Sequence, residues 1–405
     1  MDFNDTPEEA AFRAEVRAWL AENAAEYAGA DFEPWPEDEL PARARAWLRR
    51  RAEGGYATIS WPKEQGGRGG TRMHEMIYAE EEEKYHVPYG GGAIGRGVNM
   101  ALPAIRKHGS AEQYERFAGP TLCGELLWCQ LFSEPGAGSD LAGLRTRAVK
   151  DGDRWIVNGQ KVWSSGAHYA DWGILMARTD PKVPKHRGIS FFLLDMRTPG
   201  IDVRPIRQIN GNSEFNEVFL TDVAIPDDCR VGALGEGWQV AMTVLMNERA
   251  GAGDSSDSFV RKLIERARRS PRDNGTALDN DALRNRLAHW YAEEQGLKYF
   301  GYRLMTSLSR GEPPPASAAM VKLVSATKLQ QTNAQAMDID DFAGLFISPE
   351  RPDQEAIFQD YLWSAVMRIA GGADEILRNQ LAERMLGLPG EIRVDKDIPF
   401  DQLVG

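Results

Sequence analysis

The side chains and backbone groups best suited to chemistry are concentrated between Trp128 and Trp172. A glycine-punctuated loop, Ser133-Glu-Pro-Gly-Ala-Gly-Ser139, is followed by an aromatic–hydroxyl cluster, Trp163-Ser164-Ser165. Glycines free backbone N–H groups, and with small hydroxyls these suit an anion or the polar edge of a ring. A tryptophan beside them offers a flat face to an aromatic system. Together the two motifs read as a cradle for a large, flat, phosphate-bearing cofactor.

The elements that must position this cradle divide the chain in three. Apolar residues at helical spacing, such as Phe12, Val16 and Leu20, follow a cap-like Asn4-Asp-Thr-Pro7, and helical patterns dominate to about Cys123. From about residue 126 the pattern becomes short β-branched and aromatic runs, RWIVNG, WGILMART, GISFFLLDM, IDVRPIRQI and NEVFLTDVAIP, separated by Gly, Asp, Asn and Pro turns. Helical patterns return over 236–269, 280–310, 316–338 and 354–387. The expected fold is α+β and multidomain. It has an N-terminal helical domain (1–125), a central antiparallel β domain that binds the cofactor (126–233) and a C-terminal four-helix bundle (234–405).

Composition narrows the partners. The 405 residues carry a net charge of −12, which argues against non-specific nucleic-acid binding. Cys123, Cys129 and Cys229 form no CxxC pair, as expected of incidental thiols in a reducing compartment. No apolar run approaches the length of a membrane span and the N-terminus is acidic and polar, so a cytoplasmic location is expected.

Other motifs carry less. Gly90-Gly-Gly-Ala-Ile-Gly95 matches GxGxxG formally, but an acidic helical run and Pro88 precede it where a dinucleotide fold needs a strand. Asp338-Ile-Asp340-Asp341 lacks the glycine and distal glutamate of a calcium loop, and the six histidines show no paired spacing, so no metal site is expected. Ser139 is in no GxSxG, and there is no P-loop.

The 126–180 region resembles the signature of the acyl-CoA dehydrogenases, flavoenzymes with the same helix–β–helix order. The likeness continues through GISFFLLDMRTPGIDVRPIRQINGNSEFNEVFLTDVAIPDD to MNERA at 246–250, and includes SWPKEQGGRGG near the start and GGADEILRN near the end. It implies FAD, an acyl-CoA thioester and α,β-dehydrogenation to the trans-2-enoyl-CoA in lipid catabolism. By position, Leu131, Phe132, Ser133, Gly138, Ser139, Trp163, Ser164 and Ser165 would contact FAD. Ser133 would meet the pyrimidine side of the flavin, Trp163 would cover the ring, and Ser164 and Ser165 would lie beside N5. Ser139 would also touch the substrate's phosphopantetheine.

Removing a thioester α-proton needs a carboxylate in a dry pocket and hydrogen bonds to the developing enolate-like oxygen. Many members of this family hold that glutamate in a C-terminal segment, where this chain has Gly371-Gly372. Isovaleryl- and long-chain-type members instead place it on an earlier helix before an arginine, and Met246-Asn-Glu248-Arg249 occupies that place. The resemblance thus implies Glu248 as base, Arg249 on the CoA chain, and backbone N–H groups of Gly371 or Gly372 as oxyanion donors. Arg96, in the segment Tyr89–Asn99, is expected near the distal acyl pocket, where it could meet a polar tail.

Two of the family's cross-subunit FAD motifs are weak here, at RRSPRDNGTALDN and MDIDDFAGLF. That leaves open a homo-oligomer, dimer or tetramer, and a hetero-oligomer with a related subunit. An electron-transfer flavoprotein is the expected acceptor. The alternatives are an oxygen-using acyl-CoA oxidase or related flavoenzyme, and a cofactor-poor partner subunit.

Overall fold

The computed structural model describes residues 5–28, 35, 39–88, 94–251, 259–309, 317–340, 346, 352–392 and 395–403. The N-terminal third forms helices α1 (Pro7–Asn23), α2 (Leu40–Glu53), α3 (Arg72–Glu82), the single turn α4 (Ile94–Arg96), α5 (Leu102–His108) and α6 (Ala111–Leu122). α3 and α6 each begin with a capping box, Thr71 with His74 and Ser110 with Gln113, which satisfies N–H groups that have no intrahelical partner. Between α4 and α5 the chain makes a five-residue π turn, Gly97–Ala101. Pro103 follows one residue later, and it has no N–H to continue a regular ladder back to Asn99. Insertions of this kind recur at functional sites.

The middle of the chain is an eight-stranded sheet. Its strands are β1 (Trp128–Leu131), β2 (Arg147–Asp151), β3 (Arg154–Lys161), β4 (Trp172–Arg178), β5 (Ile189–Asp195), β6 (Ile201–Pro205), β7 (Asn216–Pro226) and β8 (Arg230–Val231). The order is β6-β7-β3-β2-β4-β5-β8, with β1 beside β4. Pairing is antiparallel except where β1 and the start of β2 run parallel to β4. The parallel β1–β4 register, Trp128 opposite Trp172, sets both ends of the Trp128–Trp172 segment side by side. β4 and β5 are buried almost end to end, as expected of strands covered on both faces.

Helix α7 (Gly237–Gly251) follows, then α8 (Phe259–Arg269), the small hairpin β9 (Pro271–Arg272) and β10 (Gly275–Thr276), α9 (Asp281–Ser309), α10 (Ala318–Ile339), α11 (Pro352–Ser364) and α12 (Asp374–Arg384). Of the expected helical stretch 236–269, residues 237–251 and 259–269 are helical and residues 252–258 lie outside the described residues, and a short hairpin follows at 271–276.

The chain separates into two compact units. One contains α3 and residues 252–390, where α10 touches α8, α9, α11 and α12 around Val260, Leu263, Leu287, Trp290 and Ile339. The other contains residues 11–70, 85–251 and 391–405: the sheet, the remaining N-terminal helices, α7 and the C-terminal tail. Its core joins helix and sheet through Phe117, Trp128 and Trp172, with ring centroids 4.7 to 6.0 Å apart. Among the described residues, no helix is long and apolar enough to cross a membrane.

The π turn depends on a missing side chain. A Cβ on Gly97 would lie 2.6 Å from both Thr121 Cγ2 and Trp128 Cδ1. Trp128 cannot retreat, because it is fully buried and its Nε1 donates to Thr121 Oγ1 at 2.9 Å. Gly97→Ala should therefore cost about 1–3 kcal/mol of overpacking in urea denaturation, and an unchanged midpoint would refute this account of the turn.

Candidate active site

The cradle is assembled around one fully buried cation. Lys161 ends β3 on the same parity as Trp155 and Val157, facing inward, and its side chain is 0% exposed. Its ammonium donates to the Phe132 carbonyl at 3.0 Å and to Glu134 Oε1 at 2.9 Å. The Glu134 carboxylate also accepts from the N–H groups of Arg145 (2.6 Å) and Thr146 (2.8 Å). Burial pushes the Glu134 carboxyl up, but Lys161, with hydrogen bonds from Thr146 and Arg145, brings it net below its usual range. Burial pushes Lys161 down to about 8, opposed by Glu134. The pair is ionised at neutral pH.

That pair draws the first loop onto β3, and the backbone completes the join. Val162 N–H donates to the Ser133 carbonyl at 3.0 Å. Glu134 and Ala137 exchange backbone hydrogen bonds at 3.0 Å across Pro135-Gly136, closing a tight turn. Beyond it Gly138 and Ser139 are exposed, and a Cβ added to Gly136 or Gly138 would meet nothing within 4 Å. Leu131 and Phe132 are buried beneath. A cavity of about 270 Å³ lies against this loop, lined by Glu134, Pro135, Gly136, Arg145, Thr146 and Gln160 among others.

The second cluster carries strain. Trp163 has φ 60°, in the left-handed region that bulky residues avoid, and its side chain is 59% exposed. The turn is held on both sides. Ser164 N–H donates to the Asn216 carbonyl (3.1 Å), Asn216 Nδ2 returns a bond to the Ser164 carbonyl (2.8 Å), and Gly166 N–H donates to the Glu214 carbonyl (2.8 Å). Phe215 stands edge-on to the Trp163 ring at 5.8 Å and 89°. A left-handed non-glycine residue stores about 1–3 kcal/mol and persists where its surroundings over-determine it. Next to it Ser164 is fully buried, and its Oγ has no hydrogen-bond partner among the described residues. A strained, exposed aromatic face beside an unused hydroxyl and an open glycine loop fits a flat heteroaromatic ring with polar edges. The residues present therefore suit a flavin.

Other predicted residues fall as follows. Glu248 is half-buried on α7, in the same unit as the cradle, and is the foremost opposing charge acting on Arg96. The side chain of Arg249 and residues 89–93 lie outside the described residues. Gly371 and Gly372 belong to the other unit and take φ 67° and 102°. Their turn is fixed by Lys322, whose ammonium donates to the Gly372 carbonyl at 2.6 Å beside the buried Asp374.

Sequence reasoning missed Lys161, Glu134 and Asn216. A lysine on the inward parity of an alternating strand was the available signal. It also missed the C-terminal tail, which returns to the sheet next to the glycine loop. There Lys185 bridges Asp140 (2.9 Å) and Asp395 (2.7 Å), and Phe400 lies 3.5 Å under the Arg178 guanidinium. Arg178 in turn donates to the Ala142 and Leu144 carbonyls.

Comparison with known proteins is consistent over the length of the chain. Family models for the acyl-CoA dehydrogenase N-terminal, middle and C-terminal domains match residues 6–125, 129–223 and 235–386. Acyl-CoA dehydrogenase IpdE1 of Mycobacterium tuberculosis is 37% identical over 394 residues, covering 94% of this chain and 98% of its own. The chain belongs to the acyl-CoA dehydrogenase family. It is thus an oxidoreductase with a flavoenzyme fold, of a family at work in lipid catabolism. Acyl-CoA dehydrogenase FadE34 of the same organism is 38% identical over 387 residues, 95% of this chain, and this chain spans 50% of FadE34. Among solved structures, one described as "Tcur3481-Tcur3483 steroid ACAD" superposes with a TM-score of 0.79 at 27% identity, over 96% of this chain and 100% of that one.

Breaking a buried pair by removing one partner typically costs about 3–5 kcal/mol, because the other charge is stranded. Lys161→Met should lose that much in urea denaturation, and adding Glu134→Gln should recover part of the loss. If Lys161→Met is as stable as the wild type, the pair does not hold the cradle.

Proposed function

We propose that this protein is an FAD-dependent acyl-CoA dehydrogenase in which Glu248 removes the α-proton of an acyl-CoA thioester to give the trans-2-enoyl-CoA. When bound, FAD supplies the acceptor for the β-hydride. The chain's own residues do the rest. The Gly136–Ser139 loop offers open backbone for a pyrophosphate, with Ser133 and Ser139 as hydroxyl donors. Trp163 covers one ring face, and Ser164 and Ser165 give donors to its polar edge. Leu131 and Phe132 form the apolar floor, and Ser139 also serves the phosphopantetheine of the substrate.

What supports the base assignment is the place of Glu248, half-buried on α7 in the cradle's own unit, against which packs the π turn that follows Arg96. A cation near a carboxylate favours its ionised form, the form able to take a proton. Gly371, where other members carry the glutamate, has no side chain to compete. Gly371 and Gly372 offer backbone N–H groups for the thioester oxygen, and Arg249 serves the CoA chain.

The three segments 1–125, 126–233 and 234–405 are proposed as the family's helical, flavin-binding and bundle domains. The substrate class follows from likeness: a solved relative is titled a steroid ACAD, which favours a bulky, polycyclic acyl group as the substrate. That title also names two gene products. Together with the weak cross-subunit motifs, it favours work beside a related subunit, with an electron-transfer flavoprotein as acceptor.

Glu248→Gln should purify yellow yet lose anaerobic flavin reduction by acyl-CoA about 10²–10⁴-fold, the usual contribution of a general base. Bleaching at the wild-type rate would remove Glu248 from the role. In the wild type, steroid-side-chain acyl-CoA should bleach the flavin faster than straight-chain acyl-CoA. Faster reoxidation by air than by an electron-transfer flavoprotein would favour the oxidase reading.

A further inference from the structure

Arg96 ends α4 and feeds directly into the π turn Gly97–Ala101, which packs against α7. The Nε of Arg96 is shut off from solvent and meets no acceptor among the described residues. The groups acting on its guanidinium are, in order, Glu248, Cys129, Tyr169 and Glu214. Cys129 brings no charge, because burial pushes its thiol up to about 12. Glu214 lies beside the Trp163 turn, where its carbonyl receives Gly166 N–H at 2.8 Å. Of these, Glu248 is the anion with a proposed role in the chemistry, and it stands first in its effect on Arg96.

We propose that Arg96 is a positioning residue for the dehydrogenation: it is the resident counter-ion of Glu248 and not a receptor for a polar acyl tail. The proposal rests on Glu248 being the base. A guanidinium keeps its charge wherever it is placed, and burying it beside an apolar core is tolerable only when a carboxylate answers it. The same attraction works in the other direction and favours the ionised form of Glu248, which drying by the acyl chain opposes. When Glu248 accepts the α-proton, the pair is neutralised on one side only. Arg96 then remains as net positive charge close to the carbon chain on which enolate-like charge develops. The π turn serves this arrangement by swinging α4 out of register with α5, which carries its own contact to α7, His108 Nε2 to Thr243 Oγ1 at 2.8 Å.

The other ionisable groups near α7 are weaker candidates for that role. Burial pushes His108 down, with Lys107 adding to the effect and Glu236 opposing it. Asp195, at the end of β5, is already paired with Arg197. Tyr169 and Glu214 act on Arg96 itself.

The test uses flavin-loaded wild type, Arg96→Gln, Arg96→Lys, Glu248→Gln and the Arg96→Gln/Glu248→Gln double variant. Anaerobic flavin reduction by a plain acyl-CoA is followed against pH, and thermal unfolding at fixed pH. In Arg96→Gln the pH midpoint of reduction should move up by at least about one pH unit, and Arg96→Lys should return most of that shift. Each single Gln variant should lower Tm, and the double variant should recover part of the loss, since it strands no charge. An unmoved midpoint with only a raised KM for polar acyl-CoA would overturn the proposal in favour of a substrate contact. Strictly additive Tm losses would overturn it as well. If Glu248→Gln reduces its flavin normally, the base reading falls and the proposal falls with it. An inactive Glu248→Gln beside an unmoved Arg96→Gln midpoint removes Arg96 alone.

Discussion

The candidate site depends on a single buried attraction, Lys161 to Glu134 at 2.9 Å. Without it, two loops far apart in sequence, 133–139 and 162–166, would meet only through main-chain bonds. The pair is supported by further hydrogen bonds: Lys161 also donates to the Phe132 carbonyl, and Glu134 also accepts two backbone N–H groups. Such a pair is a poor source of net stability. Its value here is geometric, since an ammonium with fixed acceptors admits one placement of the loop, where an apolar contact would admit several. Arg178 repeats the device one strand away, fixing the Ala142 and Leu144 carbonyls while Phe400 covers its face.

Rigidity in the first loop allows strain in the second. Trp163 stands at φ 60° because Asn216 grips Ser164 from both its own carbonyl and its side-chain amide, and Val162 is tied to Ser133. A relaxed turn would let the indole fold down against the sheet and cover the apolar ring with its own protein. Held as it is, a large aromatic surface stays open to solvent at a cost that only a stacking partner can offset. The strain and the exposure both fit a flat ring stacked on the indole, and neither would do so alone.

Much of this was legible in the amino-acid order. The run NEVFLTDVAIP is β7 residue for residue, and WGILMART and GISFFLLDM contain β4 and β5, because fully buried strands leave long β-branched and aromatic runs. What escaped reading was non-local. The parallel contact of β1 with β4 joins residues more than forty positions apart, and no periodicity announces it. Lys161 shows an ionisable residue in an inward position, but its partner lies in a loop whose path only the folded chain defines.

The placement of the proposed base has its own physical logic. Gly371 and Gly372 lie at φ 67° and 102°, clamped by Lys322 on the Gly372 carbonyl and by the buried Asp374. A glutamate at 371 in that backbone would start from a left-handed conformation, and its long side chain would have to be aimed from a strained turn. In the proposed arrangement the carboxylate on α7 takes its direction from a regular ladder, and Arg96 stands at the head of the π turn that packs against that helix. A base that must be ionised when the pocket is dry needs both a fixed direction and a fixed counter-charge, and two elements that already pack together are the economical way to hold both.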